Sequence, residues 1–395
     1  MPRTSLAVAF ATSLLPATTH ADGAFFPSTA TASAAAASTD QRALFVYANG
    51  ATTLVLQTGY RGTASGFSWV IPTPQRLTAA DVSVAEVPVF ERLHAITAPT
   101  LVAFEQGCGA FGCADDTVSS AGHETVVRVF DSFKVSGYEI AVLGAADSAG
   151  LGGWLSRNGY GAPADAGTVF TDYTSRGFYF VAVKYTGAAE DPTTTGAGND
   201  STAFADGAAR PLQLRLLGTV TTLPLLISSL STASEVDLVL YTVAATRYTV
   251  RDAATAEMMV TEAFPGGDFT AWYDARFAQA VTELGAGAFL VEFAAELDEY
   301  ELAAALGREP EAAAPASVRW FVTRLHARLG PEAMTADLAL VPEEGEAASR
   351  RHQIRVLHGG APEVAARVPW DLTLVVALGL LAKRRGRART LERRR

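Results

Sequence analysis

The chain has 395 residues, 49% of them apolar, and a formal net charge of −10. This length and composition allow a sizeable core in one large or two ordinary domains. Arg3 contributes +1 and the tail 383–395 contributes +7, so residues 22–382 carry −18. Because such an acidic segment repels a phosphate backbone, DNA and RNA are excluded as partners.

The N-terminus is typical of a secretory signal. Arg3 precedes an apolar stretch at residues 6–15. Thr19 and Ala21 are the small residues expected at positions −3 and −1 of a cleavage site before Asp22. Ten apolar residues are too few to cross about 30 Å of hydrocarbon, which disfavours a retained transmembrane helix. We therefore expect residues 1–21 to be removed and the rest to be exported.

Strand patterns dominate the first half of the chain. The turn pairs Asn49-Gly50 and Ser136-Gly137 each predict a hairpin, because their positions tolerate positive φ. Pro72, Thr73 and Pro74 are expected to end the third strand. In chain order, the sequence predicts strands at 43–48, 52–60 and 67–71, a helix from Pro88 to about Ile96, strands at 125–135 and 138–143, a helix at 148–157, a strand at 178–185, a loop at 190–209, and strands at 212–217, 223–227 and 236–243.

Two cysteines, Cys108 and Cys113, lie close together in the first half of the chain. In an exported protein a close pair of this kind favours a structural disulfide that closes a small loop. A redox centre would be typical of a Cys-x-x-Cys motif at a helix start, and this spacing is longer. The disulfide is the favoured interpretation, and a redox pair is the alternative.

The second half is rich in Ala, Glu and Leu. Apolar residues at helical spacing predict helices at 253–264, 270–284, 290–306 and 317–329. The last has the clearest pattern, with a Ser cap, apolar residues at 321, 325 and 329, and Gly330-Pro331 as a stop. Arg319, Arg324 and Arg328 would lie on this helix with solvated charges.

The C-terminus combines a short apolar segment at 368–382 with eight Lys or Arg after it. The segment would be about 22 Å long as a helix, which is short for a bilayer. Snorkelling arginines can compensate in part, and the basic tail would be cytoplasmic. A short membrane anchor is favoured over an amphipathic or disordered tail, and proteolytic processing of the tail remains an alternative.

Several sequence features together resemble one bacterial family. They are Ala24-Phe25-Phe26, the stretch 58–74, the stretch 154–160, the stretch 177–184, Thr323-Arg324-Leu325 and the stretch 331–335. In order and spacing they are similar to the exported family called domain of unknown function 2330, over about residues 24–340. Members often have cysteines that flank the Phe-Phe pair, where this chain has Asp22 and Pro27. The family has no established activity, so the resemblance implies fold and location only.

The residues that could carry chemistry crowd into one segment, 108–124. Gly107 to Gly112 matches G-x-G-x-x-G, but a nucleotide site would need a helix to follow, and the next residues are polar and Gly/Ser-rich. Asp115, Asp116, His123 and Glu124 form a candidate polar cluster. The pattern lacks the glycine turn of a Ca²⁺ loop, which favours solvated charge over a metal site. We expect no cofactor and no metal.

The sequence therefore predicts an α+β protein with a mixed, mostly antiparallel, β-rich N-terminal part and helices packed in the C-terminal third. The expected parts are a signal peptide at 1–21, a β-rich domain at 22–250, a helical part at 251–345, a linker at 346–367, a membrane span at 368–382 and a cytoplasmic tail at 383–395.

The favoured hypothesis for function is a non-enzymatic binding or structural module of the cell envelope, with an envelope protein as partner. The first alternative is an envelope hydrolase or thiol oxidoreductase with an unfamiliar site at 108–124. The second is a small-ligand or glycan binder that uses Trp69, Trp154, Trp272 or Trp320, although core packing is the default for these rings.

Overall fold

The computed structural model describes residues 23–29, 37–63, 67–85, 88–102, 128–185, 205–232, 235–308 and 319–357. These residues form four layers, in the order helices, sheet, sheet, helices. The predicted α+β class is confirmed, and most strand pairs are antiparallel. Parallel pairs join the strands at 236–244 and 37–48, among others, so the ten-stranded sheet is mixed.

Strands outnumber helices along the chain. In chain order the strands are β1 (Ala24–Pro27), β2 (Ala37–Ala48), β3 (Ala51–Thr63), β4 (Phe67–Thr73), β5 (Val82–Val84), β6 (Thr100–Val102), β7 (Arg128–Val135), β8 (Tyr138–Gly144), β9 (Tyr179–Tyr185), β10 (Ala205–Ala208), β11 (Leu212–Leu217), β12 (Thr222–Leu223), β13 (Val236–Ala244), β14 (Tyr248–Val250), β15 (Thr255–Glu257), β16 (Phe289–Asp298), β17 (Arg319–Leu329), β18 (Leu338–Pro342), β19 (His352–Gln353) and β20 (Arg355–Leu357). The helices are α1 (Val89–Thr97), α2 (Ser148–Arg157), α3 (Ala166–Ser175), α4 (Phe269–Leu284) and α5 (Glu299–Leu306).

Both predicted hairpins are confirmed. Asn49 and Gly50 have φ of 51° and 70° between β2 and β3, and Ser136 and Gly137 have φ of 44° and 83° between β7 and β8. Positive φ at both turn positions matches the twist of the flanking strands. Helix α2 has the predicted bounds, and the side chain of Asp147 caps it by accepting from the backbone N–H of Gly150 at 2.8 Å.

The main core lies between the two sheets. The five-stranded sheet has the order β1-β4-β9-β8-β7, and the ten-stranded sheet contains the path β15-β16-β17-β13-β2-β3-β11-β5. Alternate residues of both sheets, among them Trp69, Ile140, Phe45 and Leu240, point into the space between them and are buried. The burial of Trp69 confirms core packing for this ring, and the rings of Trp154, Trp272 and Trp320 pack at the edges of the other cores.

Helices cover the outer faces of both sheets. Helices α2 and α3 pack on the five-stranded sheet through Leu151, Leu155 and Phe170. Helices α1 and α5 pack on the ten-stranded sheet through residues such as Phe90 and Leu302. Helix α4 lies on the same sheet over a smaller apolar cluster formed by Met258, Phe264, Phe277, Leu290, Ile354 and Val356. The ten-stranded sheet thus has one face in the main core and one face under three helices.

The predicted helices of the second half are largely wrong. Residues 319–329 form strand β17 between β16 and β13, and residues 289–298 form β16, so that only α5 remains of the helix predicted at 290–306. Residues 253–264 contain only the short strand β15 as regular structure. The prediction of a helix at 270–284 is confirmed by α4. Pairing in a central sheet outweighs the helix propensity of these Ala-rich and Glu-rich stretches.

Three smaller predictions are also corrected. Strand β4 continues through Pro72 to Thr73, where it pairs with β9. Strand β1 pairs with β4 only as far as Val70, so Pro72 lies at an edge position, where a missing N–H is tolerated. Residues 205–208 form β10 on β3 and are not a loop. Of the strand predicted at 223–227 only Leu223 is extended, and a 3-10 helix occupies Leu226–Leu230.

Candidate functional site

The site residues that the sequence singles out lie outside the described residues. They are Cys108, Cys113, Asp115, Asp116, His123 and Glu124, so the disulfide and the polar cluster stay predictions. The segment 368–382 also lies outside. Among the residues that the structure describes, no helix is long and apolar enough to cross a membrane.

A network of charged side chains, built around the buried pair Glu292 and Arg324, lies on the helix-covered face of the ten-stranded sheet. We call it the ionic cluster, and it consists of Asp237, Tyr273, Asp274, Glu292, Arg324, His326 and Arg328. Strand β17 supplies three of these side chains, at positions 324, 326 and 328, because alternate residues of a strand point to one face. Asp237 of β13 lies opposite Arg328 in the strand register.

A β-bulge turns Glu292 toward this face. The pairing of β16 with β17 shifts between Val291 and Phe293, so that Glu292 is the extra residue. Leu290 lies under α4 and Val291 in the main core, but Phe293 belongs to the core under α1 and α5. The bulge therefore lets Glu292 and Phe293 both serve the helix-covered side, which regular alternation would forbid.

Glu292 is the most deeply buried member, with its side chain 1% exposed. Its Oε1 accepts from the Tyr273 hydroxyl at 2.7 Å and lies 3.0 Å from Nδ1 of His326. Its Oε2 forms an ion pair with Nε of Arg324 at 2.7 Å. Burial alone would raise the pKa of this carboxyl, but His326, Arg324 and the Tyr273 hydroxyl together lower it to about 2.

His326 lies between two carboxylates. Its Nδ1 faces Glu292, and its Nε2 lies 3.3 Å from Oδ1 of Asp237. Burial opposes the charged form of the ring, but Glu292 and Asp237 outweigh it and raise the pKa of His326. The pKa of Asp237 falls to about 2: burial would raise it, and His326 and Arg328 lower it. The ring of His326 also stacks on Phe277 of α4, with centroids 3.9 Å apart.

Two arginines lie at opposite ends of the cluster, Arg328 beside α4 and Arg324 beside α1. Arg328 donates from Nε to Asp237 at 3.0 Å and from Nη2 to Asp274 at 2.7 Å. Arg324, with its side chain 5% exposed, reaches toward α1, where its Nη1 lies 3.3 Å from Nδ1 of His94. Burial lowers the pKa of His94, and Arg324 lowers it further. Residues from β13, β16, β17, α1 and α4 thus meet in one network.

In this arrangement charged side chains neutralise one another away from water. The two ring nitrogens of His326 each face a carboxylate, and the acids and arginines of the cluster are partners of one another. In the described part of the chain, no three His, Cys, Asp or Glu residues are grouped so that they could hold a metal ion. The cluster can hold or release a proton at His326, and it ties α4 to the sheet.

A second buried ion group lies near the C-terminal strands. Arg247, 1% exposed, forms ion pairs with Glu257 and Glu343, both at 2.9 Å. Arg350 adds a pair with Glu257 at 2.8 Å. These contacts hold the segment after β18 against β15, and they explain why a fully buried arginine is tolerated there.

The sequence interpretation misses the ionic cluster. It predicts Arg324 and Arg328 as solvated charges on a helix, but they are buried or half-buried partners of carboxylates on a strand. The signal is present as alternation: Arg324, His326 and Arg328 interleave with Leu325, Ala327 and Leu329. Period-two alternation of charged and apolar residues is typical of a strand.

The comparisons with known proteins give a family and little more. The solved crystal structure of baculovirus P35 is similar over 77% of this chain and 93% of that chain, with 9% identity and a TM-score of 0.26, which is too low to indicate a shared fold. No curated protein matches the chain. A family model described as an uncharacterized protein conserved in bacteria matches residues 17–341. The chain therefore belongs to the bacterial family called domain of unknown function 2330.

Proposed function

We propose that this protein is an exported module of the bacterial cell envelope, held at a membrane by residues 368–382, that binds an envelope protein. Export rests on the N-terminal pattern of a charge, an apolar stretch and small residues. Attachment rests on the apolar segment followed by eight Lys or Arg, which the positive-inside rule would keep in the cytoplasm.

The ionic cluster is the observation that carries the binding or structural part of the proposal. Its carboxylates, arginines and histidine are arranged as mutual partners, with contacts of 2.7 to 3.3 Å that join β13, β16 and α4 to β17. Groups that neutralise each other in this way stabilise a scaffold. A layered scaffold with functional loops is a common design for binding proteins.

The test is chemical crosslinking in intact cells, followed by purification of the full chain and mass spectrometry of what is attached to it. We expect one dominant envelope protein. The matched control is a chain that ends at Arg367, which keeps every described residue and removes the proposed span. Recovery of the full chain alone, at stoichiometric yield, would argue against a protein partner and favour a ligand or substrate.

Location is tested separately. We expect the first residue of the mature protein to be Asp22, and we expect the full chain to stay with the membrane fraction while the chain that ends at Arg367 is released. N-terminal sequencing that starts at Met1 would overturn export. Equal release of both chains would overturn attachment through residues 368–382.

A further inference from the structure

Strand β1 is buried from its first residue, although it lies at the edge of the five-stranded sheet. Ala24, Phe25 and Phe26 are each at most 2% exposed, and Gly23 before them is buried as well. Phe25 packs in the main core, whereas Ala24 and Phe26 pack in the core under α2 and α3. Both of these cores are therefore complete only when β1 is docked on β4.

Gly23 fits its place because it has no side chain. Its φ is +71°, and a Cβ added there would lie 2.3 Å from Nε1 of Trp69 and 3.1 Å from the carbonyl oxygen of Val70. The first of these distances is a clash, so a larger residue would have to displace the buried indole ring. The backbone N–H of Gly23 also donates to Oγ of Ser228 at 3.1 Å, away from water. The start of β1 is therefore fixed by shape and by a hydrogen bond.

Ser228 is held in position by other parts of the fold. It is fully buried in the 3-10 helix that follows β12. In this helix the backbone N–H of Leu226 donates to Oδ1 of Asp337 at 3.1 Å. The backbone N–H of Ile227 donates to the Tyr173 hydroxyl at 3.2 Å, and that hydroxyl donates to Asp337. Helix α3 and the segment before β18 therefore hold the acceptor for the start of β1 in place.

The other end of β1 is fastened through the turn after α2. The carbonyl oxygen of Pro27 accepts from the backbone N–H of Gly161 at 2.8 Å. The backbone N–H of Thr29 donates to the carbonyl oxygen of Gly159 at 2.7 Å. With β4 paired along its length, β1 is thus held on one side by a strand and at both ends by separate contacts.

This docked strand begins immediately after the proposed signal cleavage site. The bond between Ala21 and Asp22 lies one residue before Gly23 in the sequence. A protease binds several residues on both sides of the bond that it cuts, so a buried segment is cut only after it has opened locally. With β1 docked, the residues that follow the bond are buried and hydrogen-bonded, and they are withheld from the protease.

We propose that β1 sets the order of maturation: residues 1–21 are removed while β1 is undocked, and the docking of β1 then closes the cleavage site. A chain whose β1 docks first keeps residues 1–21. The inference rests on the proposed export signal and adds to it a mechanism that lies in the fold. Its size follows from burial, because opening β1 exposes the rings of Phe25 and Phe26, which makes the open form rarer by about a hundredfold or more.

The test compares two substrates of purified bacterial signal peptidase in detergent. One is the full chain from Met1 to Arg395, folded as shown by a cooperative urea transition, and the other is a synthetic peptide of residues 1–30. We expect the peptide to be cut after Ala21 and the folded chain to be cut at least about a hundredfold more slowly. Equal rates would overturn the protective role of β1. A peptide that is not cut after Ala21 would instead overturn the proposed signal.

Amide hydrogen exchange of the mature chain, residues 22–395, tests the docking of β1 without the precursor. We expect slow exchange in the segment 23–27, because its backbone pairs with β4 and with Ser228. Exchange in this segment at the rate of an unstructured peptide, while β4 and β9 stay protected, would show that β1 is open most of the time, and the proposal would fail.

A pair of glycine variants assigns the protection to the contacts of β1. Gly23→Ala forces a Cβ against Trp69, so we expect it to undock β1 and to bring cleavage of the folded chain close to the rate of a peptide with the same substitution. The matched control is Gly161→Ala. Gly161 also bonds to β1, but a Cβ there would meet its nearest atom at 3.8 Å, so we expect unchanged protection. Protection that survives in Gly23→Ala, or that is lost equally in Gly161→Ala, would overturn the role of the Gly23 contacts.

Discussion

Glu292 is a carboxylate that is almost fully removed from water, and three neighbours compensate its charge. Tyr273 and His326 contact one oxygen, and Arg324 contacts the other. We expect Glu292→Gln to lower the free energy of unfolding by about 3–5 kcal/mol, because it leaves the buried Arg324 without a carboxylate partner. Urea unfolding followed by tryptophan fluorescence measures the change.

Glu296 offers a matched control on the same strand. It pairs with Arg351 at 2.7 Å, but both side chains are solvated, 35% and 42% exposed. We expect Glu296→Gln to change the free energy of unfolding by less than about 1 kcal/mol, because water screens exposed pairs. If both variants lost the same free energy of unfolding, burial would not be the reason that the Glu292 contacts stabilise the fold.

The pH dependence of stability should reflect the same residues. Glu292 and Asp237 have pKa values lowered to about 2, so their contribution is present above the ordinary values of 4.5 and 3.8 and is lost as the pH falls toward 2. The contribution of His326, whose pKa is raised, is present below 6.5 and is lost as the pH rises. We expect the cluster to stabilise the fold most between these limits. Urea midpoints of the unaltered protein and of His326→Gln, measured across the range, check this, and a difference between the two that does not shrink as the pH rises above 6.5 would contradict it.

At the scale of elements, the turn between β2 and β3 requires a conformation that favours glycine. Gly50 has φ of +70°, and a Cβ added there would meet no atom within 4 Å. Any loss in Gly50→Ala therefore comes from the backbone, and we expect about 1 kcal/mol. Thermal unfolding with circular dichroism measures it.

Helix α2 provides the opposite case. Gly152 lies inside the helix, and a Cβ there would also meet open space. We expect Gly152→Ala to raise the free energy of unfolding by about 0.5–1 kcal/mol, because alanine loses less backbone freedom on folding than glycine. A loss of stability in Gly152→Ala would show that this glycine is required for something other than its backbone freedom.

The elements that could be predicted from the sequence carry local signals. Asn-Gly and Ser-Gly turns indicate two hairpins, and an aspartate before 148 together with Asn158-Gly159 after it marks the ends of α2. Strand β17 carries two local signals that compete: residues 324–329 alternate between charged and apolar, as in a strand, but the wider apolar spacing is ambiguous. Its apolar residues 321, 325 and 329 are four apart, a spacing that fits one face of a helix and one face of a strand equally well. The pairing with β13 and β16 shows that the alternation is the correct signal.

The ionic cluster could not be predicted from any single segment of the sequence. Its members come from residues 237, 273, 274, 292, 324, 326 and 328, and long stretches of chain separate the elements that carry them. Glu292 further depends on a bulge, which no local pattern at residues 289–298 marks. The signal peptide, disulfide and membrane span rest on local patterns, and they remain predictions because they lie outside the described residues.

At the scale of the whole molecule, the two halves of the chain share one core. Strand β13 pairs along its whole length with β17 on one side and over most of its length with β2 on the other. The main core takes Phe289, Val291 and Leu325 from the second half and packs them against residues of the first half, such as Phe45 and Leu240. The sheet therefore crosses the boundary that the sequence suggests at residue 250.

This sharing predicts that residues 22–250 do not fold alone. The fragment would expose the edge of β13 over nine residues and would lack the side chains that β16 and β17 place in the core. Residues 22–357 should unfold in urea in one transition, with the same midpoint by circular dichroism and by tryptophan fluorescence, whereas the fragment should show no cooperative transition. A soluble, monomeric fragment with a sharp transition would mean that the β-rich part is an independent domain, and that β16 and β17 add to a sheet that is already stable without them.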